Sequence, residues 1–238
     1  MNSVGNEAIV LVGGLGSRVN TITGGRIPKP MLAVGGRPFL EHQLDWLAEQ
    51  GITRLVLAVG FKAEVVIDHF GDNYRGMQLL YSEEGEHLLG TGGALCKAAA
   101  LLAPKAEVYA LNGDTWFPVS LAILLEFHRV KQAAFSMALA EVTPCNRFGT
   151  VVLDGQARVT AFHEKQRRKR GMINGGIYCL SAEIWSEMPE GVFSLERDFL
   201  QPRVAQLPVY GLDFDANFCD IGTPEDYEAF IHGEQLWG

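Results

Sequence analysis

The residues with most to offer chemically stand just past the ends of short apolar segments. Gly13-Gly14-Leu15-Gly16-Ser17-Arg18 follows the run Ala8–Val12, and Pro28-Lys29-Pro30 comes a little later. A glycine-rich loop after a strand lets backbone N–H groups approach phosphate oxygens closely. Arg18 and Lys29 add the positive charge that a triphosphate demands. Two familiar phosphate loops fit poorly. Ser17-Arg18 stands where a Walker loop would end in Gly-Lys-Ser/Thr, and the glycine spacing is not that of the dinucleotide fingerprint. The glycines alone read equally well as a plain turn, and the arginine with the proline-flanked lysine moves the reading toward phosphate.

Carboxylates form a second group. Asn112-Gly113-Asp114 ends the apolar run Glu107–Leu111, and Asp220 follows another short segment far along the chain. If both runs end at one sheet edge, the pair suits Mg²⁺, which takes one or two protein carboxylates and fills its shell with phosphate and water. Each also reads as a common turn or cap residue. Gly90-Thr91-Gly92-Gly93 precedes a small-residue helix, so its bare backbone suits the edge of a nucleobase or merely a flexible N-terminal loop. Glu164-Lys165 is either an exposed ion pair or a contact for a phosphorylated ligand, since lysine carries a compact charge. The basic stretch Arg167 to Arg170 reads first as a solvated loop.

Other chemistries find little support. The six histidines show no metal-binding spacing, and no serine–histidine or cysteine–histidine arrangement is readable. Cys96, Cys145, Cys179 and Cys219 form no C-x-x-C pair and sit in or beside apolar segments, which predicts free thiols in a reducing compartment. The net charge of -8 argues against a surface made for nucleic acid or anionic membrane. No apolar run reaches the ~20 residues of a membrane helix or the length of a signal-peptide core. A cytoplasmic protein is expected.

The elements that must position these residues alternate in the first half. Strands are predicted at Ala8–Val12, Arg54–Val59, Met77–Tyr81 and Glu107–Leu111, and helices at Phe39–Gln50, Ala63–Phe70 and Ala94–Leu102. That alternation implies an α/β fold with a mostly parallel sheet, whose ligands lie beyond the carboxyl ends of the strands. The second half is less regular. Strands are expected at Ala134–Val142, Gly149–Leu153, Arg158–His163 and Gly175–Leu180. Leu195–Gln206 reads as a helix interrupted by Pro202, and Pro224–His232 as a final helix capped by Thr223. With no linker or repeat, residues 1–238 are read as one domain, divided near residue 115.

Taken in order, these motifs resemble the sugar-1-phosphate nucleotidyltransferases. G-G-x-G-[ST]-R followed by P-K-P is similar to that family's triphosphate loop, and Leu89-Gly90-Thr91-Gly92-Gly93-Ala94 to its base-recognition turn. Asn112-Gly113-Asp114 and Asp220-Ile221-Gly222-Thr223-Pro224 resemble its two metal-binding motifs. Phe148-Gly149-Thr150-Val151, Glu164-Lys165 and Asn174-Gly175-Gly176-Ile177-Tyr178 resemble its sugar and sugar-phosphate contacts. Each motif is weak alone, and their shared order from residue 13 to residue 224 is specific.

The resemblance implies a Rossmann-like three-layer sandwich around a mixed, mostly parallel sheet, the nucleotide-diphospho-sugar transferase fold. Its nucleotide half would span about 1–115 and its sugar half about 116–238. It implies nucleotide contacts from Leu11, Gly13, Gly14, Gly16, Ser17, Gly90, Thr91, Gly93 and Asn112, and sugar-phosphate contacts from Gly149, Glu164, Lys165, Asn174 and Gly175. Arg18, Lys29, Asp114 and Asp220 would be catalytic, with Mg²⁺ on the two aspartates and pyrophosphate as product.

Within the family the chain looks most like the short bacterial D-glycero-α-D-manno-heptose 1-phosphate guanylyltransferases. Leu111–Thr115, Arg147–Val151, Ile173–Tyr178 and Phe193-Ser194-Leu195-Glu196 carry that likeness, and the length fits members without a C-terminal extension. GTP is then the expected nucleotide. Leu88 and Gln166 stand where the family often has proline, which bears on specificity and not on reaction class. N-acetylmuramate 1-phosphate uridylyltransferases and mannose 1-phosphate guanylyltransferases share the same motifs. A silent regulatory homologue would be expected to lose Arg18, Lys29 or an aspartate, and all are present. A glycosyltransferase would carry a D-x-D motif in place of Asn112-Gly113-Asp114.

Overall fold

A computed structural model describes residues 6–14, 25–85, 87–102, 106–143, 145, 149–163 and 170–232. In chain order the elements begin β1 (Glu7–Leu11), β2 (Ala33–Val34), β3 (Arg37–Pro38), α1 (Phe39–Glu49), β4 (Arg54–Val59), α2 (Ala63–Phe70), β5 (Asn73–Tyr74) and β6 (Met77–Glu83). They continue with α3 (Gly90–Leu102), β7 (Val108–Asn112), β8 (Thr115–Trp116), α4 (Leu121–Val130), β9 (Phe135–Val142), β10 (Thr150–Leu153) and β11 (Val159–His163). The last are β12 (Gly171–Leu180), β13 (Val209–Asp213), β14 (Cys219–Asp220) and α5 (Pro224–His232).

The main sheet runs β11-β10-β12-β7-β1-β4-β6-β5, with β9 paired to β12 and β13 to β9. β7, β1, β4 and β6 are parallel, whereas β12 is antiparallel to β7 and to β9. The sheet is therefore mixed, with a parallel centre. Strands buried on both faces need apolar side chains in both directions, and β1 and β4 supply them. Ala8, Val10, Leu55, Leu57 and Val59 enter one core beneath α1, α2, α4 and α5. Ile9, Val56 and Ala58 enter the other, with α3 and the segment from Ile184 to Val204. Three layers follow directly.

Helix α1 shows which force dominates. It has no side-chain N-cap bond, a loss of ~1 kcal/mol. Its Phe39, Leu40, Leu44 and Leu47 are fully buried, and each such side chain contributes about 1.5–3 kcal/mol. Packing outweighs the missing cap severalfold. Gly51 ends the helix at φ 83°.

Most boundaries agree with the sequence reading, and several regions differ. α3 begins at Gly90 and not Ala94, so the glycine turn is the helix's own first turn. β12 begins at Gly171, before its expected start at Gly175, and bulges between Asn174 and Tyr178. Leu195–Leu200 is a π-helical turn that passes into a single α turn at Gln201–Arg203, where Pro202 sits. α4 and β13 were not anticipated. Thr223 caps α5 as expected: its Oγ1 accepts from the Asp226 N–H at 3.2 Å and donates to Asp226 Oδ2 at 2.8 Å.

Candidate active site

β1 and β7 pair in parallel with Leu11 opposite Asn112, so their carboxyl ends lie side by side. The chain leaves β1 through Val12, Gly13 and Gly14. Gly13 is buried, and a Cβ there would lie 1.8 Å from Glu84 Oε1, whose carboxylate also accepts from the Leu89 N–H at 2.6 Å. A side chain at this position would displace the Glu84 carboxylate from its bond to Leu89. Gly16, Ser17 and Arg18 lie outside the described residues.

The chain leaves β7 through the turn that carries Asp114. The Gly113 N–H donates to Leu11 O at 2.9 Å. Buried Gln43 on α1 donates from Nε2 to Asn112 O at 2.8 Å and to Thr115 O at 3.1 Å, which clamps the turn from below. A short antiparallel pair then brings in the distant aspartate. β14 lies on β8 with Asp220 opposite Thr115, and the Ile221 N–H donates to Asp114 O at 3.1 Å. Two aspartates separated by most of the second half meet because two residues pair with two residues.

Lys29 completes the group. It lies in a single 3₁₀ turn, Lys29–Met31, held by Pro28 and Pro30, and is only 7% exposed. Its Nζ donates to Asp114 Oδ2 at 2.7 Å and to Asp220 Oδ1 at 3.3 Å. One cation therefore sits against two carboxylates. Burial pushes the Asp220 carboxyl above its ordinary range; the Lys29 charge pulls it down, and the Asp114 carboxylate pushes it further up.

Asp114 and Asp220, both paired with Lys29, line a cleft of about 520 Å³ together with Asn112, Gly149, His163, Asn174 and Glu196. That size lies within the usual span for a small-molecule site. A smaller hollow of about 200 Å³ adjoins it and is lined by Leu11, Thr91, Asn112, Tyr178, Leu195 and Glu196. Asn112 and Glu196 border both, so the two spaces meet there. Expected nucleotide residues and expected sugar residues face one continuous region.

Not every expected residue faces it. Gly93 borders a separate hollow with Cys96 and Trp185, and a Cβ there would meet Gly191 O at 2.2 Å. A Cβ on Gly92 would lie 2.0 Å from the Phe193 ring. These glycines admit the 191–193 segment, whatever else they admit. Gly175 is buried, and a Cβ there would lie 2.5 Å from the Phe117 ring, so it shapes the wall from behind. Glu164, Lys165 and Arg167 to Lys169 lie outside the described residues, and Arg170 pairs with Glu141.

Three side chains had no role in the sequence reading: Gln43, Glu84 and Glu196. Burial pushes the Glu196 carboxyl above its ordinary range, against a hydrogen bond from Asn174 that lowers it. The segment before it is tied to the glycine turn. Phe193 N–H donates to Leu89 O and Gly92 N–H to Phe193 O, both at 3.0 Å, and Leu195 N–H donates to Thr91 Oγ1 at 2.9 Å. The quoted Phe193–Glu196 motif was the available signal, without a function attached to it.

A strand-end cleft lined by two aspartates that share a lysine fits phosphate chemistry, and known proteins agree. The nucleotidyl transferase family model matches residues 7–234, and the chain belongs to that family. It is 41% identical to the D-glycero-α-D-manno-heptose 1-phosphate guanylyltransferase of Campylobacter jejuni, over 94% of this chain and 98% of the relative. The enzyme of the same name from Aneurinibacillus thermoaerophilus is 40% identical, over 93% and 95%. Among solved structures, HddC from Yersinia pseudotuberculosis superposes with a TM-score of 0.85 at 31% identity, covering 96% of this chain and 99% of that one. A second HddC structure, complexed with GMP-PN, gives a TM-score of 0.84.

Proposed function

We propose that this protein transfers GMP from GTP to a sugar 1-phosphate, D-glycero-α-D-manno-heptose 1-phosphate, forming the GDP-heptose and pyrophosphate. The observation that carries the reaction is Lys29 paired with Asp114 and Asp220, two carboxylates that line the cleft. The two heptose guanylyltransferase relatives, matched over nearly their full length, support the choice of GTP and heptose. A mannose-1-phosphate guanylyltransferase of Mycobacterium tuberculosis is 37% identical, but this chain spans only 62% of it. Mannose 1-phosphate is the second acceptor to consider.

The sugar phosphate oxygen attacks the α-phosphorus in line, the bond to the β-phosphate oxygen breaks, and pyrophosphate leaves with that electron pair. No covalent intermediate with the protein is needed, so the protein's work is positioning and charge neutralisation. The family resemblance assigns the triphosphate to Gly13, Gly14, Gly16 and Ser17, and the departing pyrophosphate to Arg18. Leu11, Thr91 and Asn112 form the nucleoside side, and Gly90 and Gly93 act there by admitting the 191–193 segment. Lys165 holds the sugar phosphate, while Gly149, Glu164, Asn174 and Gly175 shape the sugar side.

The residues present fit a divalent cation. Two carboxylates already converge on one positive group, Lys29 Nζ, and hard oxygen donors of this number suit Mg²⁺. Asp114 and Asp220 would hold it, and when bound it neutralises phosphate charge. Lys29 is the positive group assigned to the α-phosphate. Free cysteines and an NTP substrate fit a cytoplasmic setting.

Pyrophosphate release across four NTPs and a panel of sugar 1-phosphates tests the proposal. GTP with the heptose phosphate is expected to give the highest kcat/KM. UTP with N-acetylmuramate 1-phosphate would keep the reaction and replace the substrates. Silence with every pair, from folded protein that still binds nucleotide, would replace the enzyme by a regulatory sugar-nucleotide binder.

A further inference from the structure

Glu196 borders both the large cleft and the small hollow, at the seam between them. Its side chain is half-buried and lines both spaces. Among the described residues no cation pairs with it. From those residues it receives one hydrogen bond, from Asn174 Nδ2 to Oε1.

Asn174 explains why that bond is fixed. Its amide donates to Tyr178 OH at 2.7 Å as well as to Glu196, and its Oδ1 accepts from the Gly176 N–H at 3.0 Å. Both amide hydrogens are spent, and the amide cannot flip without losing the bonds to Glu196 and Gly176. Asn174 therefore has no donor left for a ligand. What it presents to the cleft is the carboxylate it holds. A second anchor comes from Thr91, which takes the Leu195 N–H beside it.

A carboxylate oxygen that loses its water without gaining a donor is costly. A ligand that displaces water from this cleft must therefore supply the donor itself. The cleft's contents also decide its class: an anion would be repelled by Glu196, and a hydroxyl would be held. From these contacts we infer that Glu196 is a specificity residue whose second carboxylate oxygen accepts a hydrogen bond from a hydroxyl of the acceptor sugar, with Asn174 as its positioning residue. This rests on the proposed function, and it assigns to Glu196 the sugar contact that the sequence placed on the Asn174 side chain.

Glu196→Gln tests it in the full-length enzyme. Glutamine keeps an oxygen for Asn174 and turns the free acceptor into an N–H donor. The KM for sugar 1-phosphate should rise roughly 10- to 100-fold, the range for one hydrogen bond to a charged group. The KM for GTP should stay within about twofold, and Tm should hardly move. Against a set of single-deoxy acceptors, one analogue should erase the difference between wild type and variant. A penalty that persists on every deoxy acceptor would make the role structural and overturn the inference. So would a rise in the KM for GTP that 2′- or 3′-deoxy-GTP erases, because that places the hydroxyl on the ribose. Should E196Q not fold, Glu196→Asp retracts the charge by one methylene and is read in the same way. If wild type turns over no acceptor at all, the proposed function fails and binding decides the inference separately. E196Q should then lose affinity for GDP-mannose and keep it for GDP, and equal affinities for both ligands in variant and wild type would overturn it.

Discussion

Lys29, Asp114 and Asp220 meet at the carboxyl ends of the parallel strands, while His128, Ser136 and Ser181 meet beneath α4. Both are clusters of residue types that do chemistry. In the first, the two carboxylates paired with Lys29 line a cleft. In the second, His128 is only 2% exposed and every hydrogen bond is internal. Ser181 Oγ donates to Ala133 O at 2.6 Å, so it accepts from His128 Nε2–H at 3.0 Å. His128 Nδ1 is left to accept from Ser136 Oγ at 2.9 Å. The serine–histidine set is closed on itself and staples α4 to β9 and to the end of β12. A site needs an opening and an uncommitted valence, and only the first cluster has both.

If that contrast is right, the first cluster should respond in rate and the second in stability. The largest effect is expected from Lys29→Met, which should lower kcat roughly 10²- to 10³-fold, the scale of one lost transition-state donor (about 2.7–4 kcal/mol). The same variant should bind Mn²⁺ more tightly in the absence of substrate, since two carboxylates lose their internal counter-charge. Unchanged turnover would remove Lys29 from the reaction.

Acid comes next. Burial pushes the His128 imidazole from its ordinary 6.5 down to about 4. The unfolded chain therefore takes up this proton first as pH falls. Its contribution is complete above about pH 6.5 and lost toward pH 4, about 3 kcal/mol in all. Urea midpoints measured across that range should show the decline, and a His128→Gln protein should show a flatter one. A smaller effect is expected from Ser136→Ala. It strands His128 Nδ1 without a donor and should cost about 1–3 kcal/mol of stability, with both KM values unchanged at neutral pH. A change in KM would join the two clusters and break the contrast.

The legible parts of the molecule are those in which one element declares itself. β1, β4 and β7 are apolar on both faces, and α1 repeats at helical spacing, so each was readable alone. α4 carried the same kind of signal. Ser120 Oγ caps it by accepting from the Ile123 N–H at 3.3 Å, and Leu121, Leu124 and His128 recur at helical spacing. It went unread because polar and apolar residues mix in the segments around it. The early start of β12 was hidden by Asn174 and two glycines, which mark the bulge and not a strand end. At the site, Lys29, Asp114 and Asp220 stood out because each sits in a short motif just past an apolar segment, in an order that the family resemblance makes specific. Gln43 and Glu196 did not, since their burial arises from distant segments that no local pattern records.

The ties between the glycine turn and the Phe193–Glu196 segment bear on how such a protein can be remodelled. Leu89, Thr91 and Gly92 hold one end of that segment, and Asn174 holds the other. A redesign that enlarges the turn to admit a different base drags the segment with it and shifts the sugar wall. Donor choice and acceptor choice are then linked traits. Libraries that vary the two regions together should yield new pairings that single-region libraries miss.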